Sequence, residues 1–106
     1  MNILKITNNA KTIHIMHEAG SAGKKSMMMK INRFLMKDLL AKNMQLQKEV
    51  NAHIAAGDKE IFEESIKDML CNISFNNHKI DKIDKIATIE KYNTLPNVTV
   101  EMITVE

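Results

Sequence analysis

From Ser26 to Ala56 the chain runs for 31 residues without a glycine or a proline. Most of these residues are good helix formers, Met, Leu, Lys, Ala and Gln among them, so the run predicts one long helix over 26–56. At 1.5 Å per residue such a helix is roughly 45 Å long, more than the width of a compact domain built from a chain of this size. It must project, kink or pair with something.

The helix is not uniform along its length. With successive side chains placed about 100° apart, Met27, Met28, Met29, Ile31, Phe34, Leu35, Met36, Leu39, Leu40 and Met44 cover well over half of its first part. Leu46, Val50 and Ile54 make only a narrow stripe in the second part. A helix that is apolar nearly all round is buried on more than one side. One covering is a sheet on one side and a second helix on the other; another is a second copy of the chain, which predicts a homo-oligomer. Five of the nine methionines lie between Met27 and Met44, and thioether side chains repack easily on adaptable binding surfaces. The expected interaction surface is therefore Met27, Met28, Ile31, Phe34, Leu35, Met36, Leu39, Leu40 and Met44.

A single domain over 1–106 is expected from the length. With 44% hydrophobic and 26% charged residues the chain reads as a folded globular protein rather than a disordered one. Its core must be aliphatic, since Phe34, Phe62, Phe75 and Tyr92 are the only aromatics. A lone Cys71 forms no internal disulfide and falls in an apolar helical pattern, where it reads as core. No apolar run approaches the roughly 18 residues of a membrane span, and no leader pattern opens the chain, which together predict a cytoplasmic setting. Fourteen lysines against one arginine, with abundant Asn and Ile, follow the codon bias of an AT-rich genome such as that of a bacteriophage or mobile element.

Residues 2–7 and 11–17 are short and β-branched with Asn8-Asn9-Ala10 between them, which predicts a β-hairpin over 1–17. Alternation puts Ile13 and Ile15 on one face and His14 and Met16 on the other. His14 and His17 are three apart, so on a strand their rings point to opposite faces, and no metal site is expected. Glu18 to Lys25 then reads as a glycine-rich loop capped by Ser26. It resembles a phosphate-binding loop only loosely. Counting back from Gly23, Glu18 stands where that pattern needs a glycine, and Lys25 stands where it needs Ser or Thr. Neither nucleotide chemistry nor any cofactor is expected.

Gly57 closes the long helix, and Asp58 reads as the N-cap of a second helix over 58–72, giving an antiparallel helical hairpin. Phe62, Ile66, Met69, Leu70 and Ile73 form its apolar face. Ile80, Ile83, Ile86 and Ile89 recur every three residues, which fits neither helix nor strand. Residues 79–106 are expected to hold a C-terminal β-hairpin region, with strands near 86–92 and 98–105 and a turn at Asn93–Asn97. The order ββααββ predicts an α+β fold: an antiparallel sheet from two hairpins, packed on an antiparallel helical hairpin with one long helix.

No residues assemble a nucleophile, a base and an orienting group, so an enzyme is not expected. The reading is a small non-enzymatic protein-interaction module that binds, blocks or bridges another protein. The alternative is a phosphate-driven, sequence-nonspecific nucleic-acid-binding protein using Lys24, Lys25, Lys30, Arg33 and Lys37. With one Arg and four aromatics, the chain offers little for base reading or single-strand stacking.

Overall fold

The computed structural model describes residues 1–57 and 59–106, and side chains everywhere in them except at 59–62. The expected cap at Asp58 and the Phe62 side chain lie outside the described residues. The fold is α+β. β1 (Asn2–Asn8), β2 (Lys11–Met16) and β3 (Val98–Thr104) form an antiparallel sheet in the order β2-β1-β3. Helices α1 (Gly20–Ala56) and α2 (Lys59–Asp84) and a 3-10 helix over Ile89–Thr94 complete it. By compactness the chain falls into two units, 1–35 with 83–106 and 36–82.

In the first unit, β1 is central because its alternating Leu4 and Ile6 can be covered from both flanks. Leu4 faces Ile15 and Met102 across the ladders, and Ile6 faces Ile13 and Val100. Leu4 and Ile6 are buried together with Met27, Ile31 and Leu35, which recur every four residues on α1, and with Ile83, Tyr92 and Val98. The opposite face carries a row of Met16, Ile3 and Ile103, a polar row of His14, Lys5 and Glu101, and a threonine row of Thr12, Thr7 and Thr99.

Asparagine makes both tight turns of the sheet. Asn9 sits at φ 55° between β1 and β2, and Asn97 at φ 63° before β3, where few side chains other than Asn are tolerated. In Leu95-Pro96-Asn97-Val98 the Val98 amide donates to the Leu95 carbonyl at 3.4 Å. Proline second and a positive φ third make this a type II turn. The Asn9 amide donates to the Asn97 carbonyl at 3.0 Å and ties the two turns together.

Three expectations are corrected. Residues 18–25 are not a loop as a whole: α1 begins at Gly20, and Ser26 lies inside it. Gly20 enters at φ 80°, and Gly23 lets the first turn close on the preceding chain. The second helix does not stop at Asn72 but runs to Asp84, since nothing from Asn72 to Asp84 breaks a helix. Residues 86–92 are not a strand either, so the second hairpin is absent and β3 pairs directly with β1.

Gly23→Ala is expected to be costly. A Cβ there would lie 2.7 Å from the Glu18 Cβ and 2.8 Å from its carbonyl carbon, and backbone cannot step aside as a flexible side chain can. Overpacking of this kind costs about 1–3 kcal/mol, well above the helical preference for Ala. Thermal unfolding followed by circular dichroism should show a lower midpoint.

Candidate functional site

The second unit is a helical hairpin. Gly57, at φ 70°, ends α1 with its amide donating to the Ile54 carbonyl at 3.3 Å. Along α1 the shielded side chains include Met36, Leu39, Asn43, Leu46, Val50 and His53, with Glu49 half-buried beside Val50, and along α2 they include Ile66, Met69, Ile73, Asn76 and Ile80. Both sets alternate steps of three and four, the heptad spacing of a two-stranded coiled coil. The intervals of three at Ile80 and Ile83 are part of this repeat, whose position 76 is an asparagine.

That asparagine fixes the register. Asn76, 9% exposed, donates through Nδ2 to Asn43 Oδ1 at 3.0 Å. Asn43 Nδ2 donates in turn to Asn77 Oδ1 at 2.9 Å. A polar pair in an apolar seam makes slipped pairings costly, because each would bury amides without partners. From this bond the antiparallel repeat sets Leu46 across from Ile73 and Val50, 2% exposed, across from Met69.

The two flanks of this seam differ in chemistry. In heptad letters, with Asn43 at a on α1 and Asn76 at d on α2, e positions of both helices line one flank and g positions the other, as antiparallel pairing requires. The g flank holds Lys42, Glu49, Ser65, Asn72 and Lys79, with Ala56 near the turn. The e flank holds Leu40, Gln47, Ile54, Glu63, Leu70 and Asn77. Leu40 is 49% exposed, Ile54 64% and Leu70 47%, and Met44, beside them at b, is 65% exposed. Phe75 is also exposed, but the Lys79 ammonium sits 4.6 Å from its ring centroid and screens it by a cation–π contact.

The expected surface residues therefore separate. Met27, Ile31 and Leu35 are removed from the surface: they are core of the first unit. Met28 and Phe34 are half-buried there, and Met29 is exposed. In the second unit Met36 and Leu39 belong to the seam, and Leu40 and Met44 are open. Ile54 and Leu70, on the apolar stripes read from the sequence, are exposed instead, and their neighbours His53 and Met69 face the seam. Cys71 is exposed rather than core, at the heptad position facing away from the seam.

In the first unit, Lys24, Lys25, Lys30 and Arg33 are all exposed, as is Lys37 in the second. An open groove of about 460 Å³ at the start of α1 is lined by Ser21, Ala22, Lys24, Lys25 and Met28. His14 and His17 are exposed, and no group of three or more His, Cys, Asp or Glu gathers to hold a metal among the described residues. Also among the described residues, no helix is long and apolar enough to cross a membrane.

Tyr92 carries a strongly perturbed ionisable group. Its ring is fully buried, and its hydroxyl donates to Asn32 Oδ1 at 2.5 Å with the Met28 carbonyl oxygen at 3.4 Å. Burial, helped by the Asp84 carboxylate, pushes its pKa up from 10.0 to about 12. A folded-state pKa above the unfolded value means stability that is complete below pH 10 and is lost as the pH climbs toward 12. Tyr92 is the only tyrosine and there is no tryptophan, so absorbance at the phenolate band reads it alone. The native midpoint should lie near pH 12 and fall to about 10 in denaturant.

No family model, curated protein or solved structure matches this chain. The functional reading rests on the geometry of the hairpin.

Proposed function

We propose that this protein is a non-enzymatic interaction module that seats a protein partner on the e flank of the hairpin 36–82. The observation behind it is the difference between two flanks built on one repeat. Scattered exposed apolar residues are ordinary on any surface. Here Leu40, Ile54 and Leu70 share one flank, Met44 borders it, and the other flank is polar. An a/d seam alone suffices for two strands, whereas an a/d/e stripe is the wider apolar face of a helix packed in a bundle.

A photo-crosslinking residue placed at position 70, and in a parallel chain at position 72, tests the reading in the producing cell. Leu70 and Asn72 are both exposed on α2 but belong to opposite flanks. A discrete protein adduct from position 70 and none from 72 is expected. Identical adducts from both, or none from 70, contradict the reading.

A further inference from the structure

We infer that the partner on this flank is a second copy of the chain, and that two hairpins join through their e positions into an antiparallel four-helix bundle. The inference rests on reading the e flank as the working surface, and three observations select the occupant.

The first is how little the hairpin buries by itself. Among the described residues of 36–82, Val50 is the only apolar side chain that is fully buried, and the other apolar side chains of the seam stay half-open. Two helices cannot enclose an a/d/e stripe, and four can. The second is area. Leu40, Met44, Ile54 and Leu70 keep 49%, 65%, 64% and 47% of their surface open, on the order of 400 Å² of apolar side chain. A standard interface takes about 800 Å² from each partner, a little over half of it apolar. The patch is the right size for a dimer.

The third observation is the spacing of the apolar residues along the flank. From the open end toward the Gly57 turn the register gives Leu40, Asn77, Gln47, Leu70, Ile54 and Glu63, with Leu40 and Ile54 each seven residues from Gln47 on α1. A twofold axis crossing the hairpin near Gln47 lays Leu40 of one copy against Ile54 of the other and brings Leu70 close to its own counterpart. Gln47, exposed at the axis, then meets its own counterpart. An isologous interface needs this self-matching and a foreign partner does not.

Sedimentation velocity over a range of concentrations tests the assembly, with far-UV circular dichroism confirming that each variant is helical. Wild type should sediment at twice 12.1 kDa. Leu40→Glu with Ile54→Glu sets carboxylates against each other across the axis and should weaken association about 100-fold. Leu40→Lys with Ile54→Glu should restore it, because the twofold axis pairs each lysine with a glutamate. Asn72→Lys, on the opposite flank, should leave the mass unchanged. A 12.1 kDa wild type at every concentration overturns the dimer. So does a folded double-glutamate chain that remains dimeric, a folded Lys/Glu chain that stays monomeric, or dissociation by Asn72→Lys. A monomer that still crosslinks another protein from position 70 loses the second copy but keeps the interaction reading. A monomer that crosslinks nothing loses both.

Discussion

Val50→Asp lowers the stability of the helical hairpin by about 4 kcal/mol, among the largest effects a point change produces. Val50 is 2% exposed and faces Met69 in the register set by the asparagine pair. A carboxylate there leaves water for an apolar seam position, so it either stays charged at high cost or takes up a proton. The loss is therefore greatest at neutral pH and shrinks below about pH 4, where an ordinary aspartate is already protonated. Lys48→Asp, on the face of α1 turned away from both the seam and the e flank, is the control. Lys48 is exposed, and an exposed change costs about 0.5 kcal/mol or less. Urea unfolding followed at the helical circular dichroism band separates the two variants. Equal losses would contradict the heptad assignment.

Tyr92→Ala removes about 3–5 kcal/mol from the first unit. Tyr92 is fully buried, among the largest side chains so enclosed, and no other aromatic is buried among the described residues. Truncation leaves a cavity in the core and strips Asn32 Oδ1 of its 2.5 Å donor. Tyr92→Phe separates the two contributions. It keeps the ring and loses only the hydroxyl, for about 1–2 kcal/mol. Chemical denaturation midpoints for the two variants should differ by the cavity cost. If Phe proved as damaging as Ala, the hydrogen bond rather than packing would hold the 3-10 helix.

Local signals carried much of the fold. Asn9 at a turn, alternation in β1 and β2, Gly57 as a helix stop and the Pro96-Asn97 turn each act within a few residues, where periodicity and turn chemistry decide. What failed involved residues whose role is set by distant partners. The apolar face read from the sequence stops short of Asn76, yet Asn43, 33 residues earlier, makes Asn76 a seam residue. Once an asparagine is admitted to the repeat, Ile66, Met69, Ile73 and Ile80 fall into one pattern and the helix has no reason to end at Asn72. The glycines at 20 and 23 look like a flexible loop, although one supplies a positive φ and the other a close approach to Glu18.

The candidate surface was legible only in part, for a related reason. Counting apolar residues around α1 shows that one covering is not enough, but it cannot say which side chains the sheet takes. Met27, Ile31 and Leu35 go to the core. Leu40 and Met44 are left, and Ile54 and Leu70 join them because the 3-4 repeat puts His53 and Met69 in the seam. The excess apolar perimeter is real, and its location follows from the heptad phase rather than from hydrophobic density.

Amide hydrogen exchange measured across a dilution series bears most directly on the hairpin as an assembly surface. Burial of the e flank against another copy should slow exchange in peptides from 36–57 and 63–82 as concentration rises, while peptides from β3, 98–104, exchange at a constant rate. Exchange in the hairpin that is the same at every concentration would contradict it.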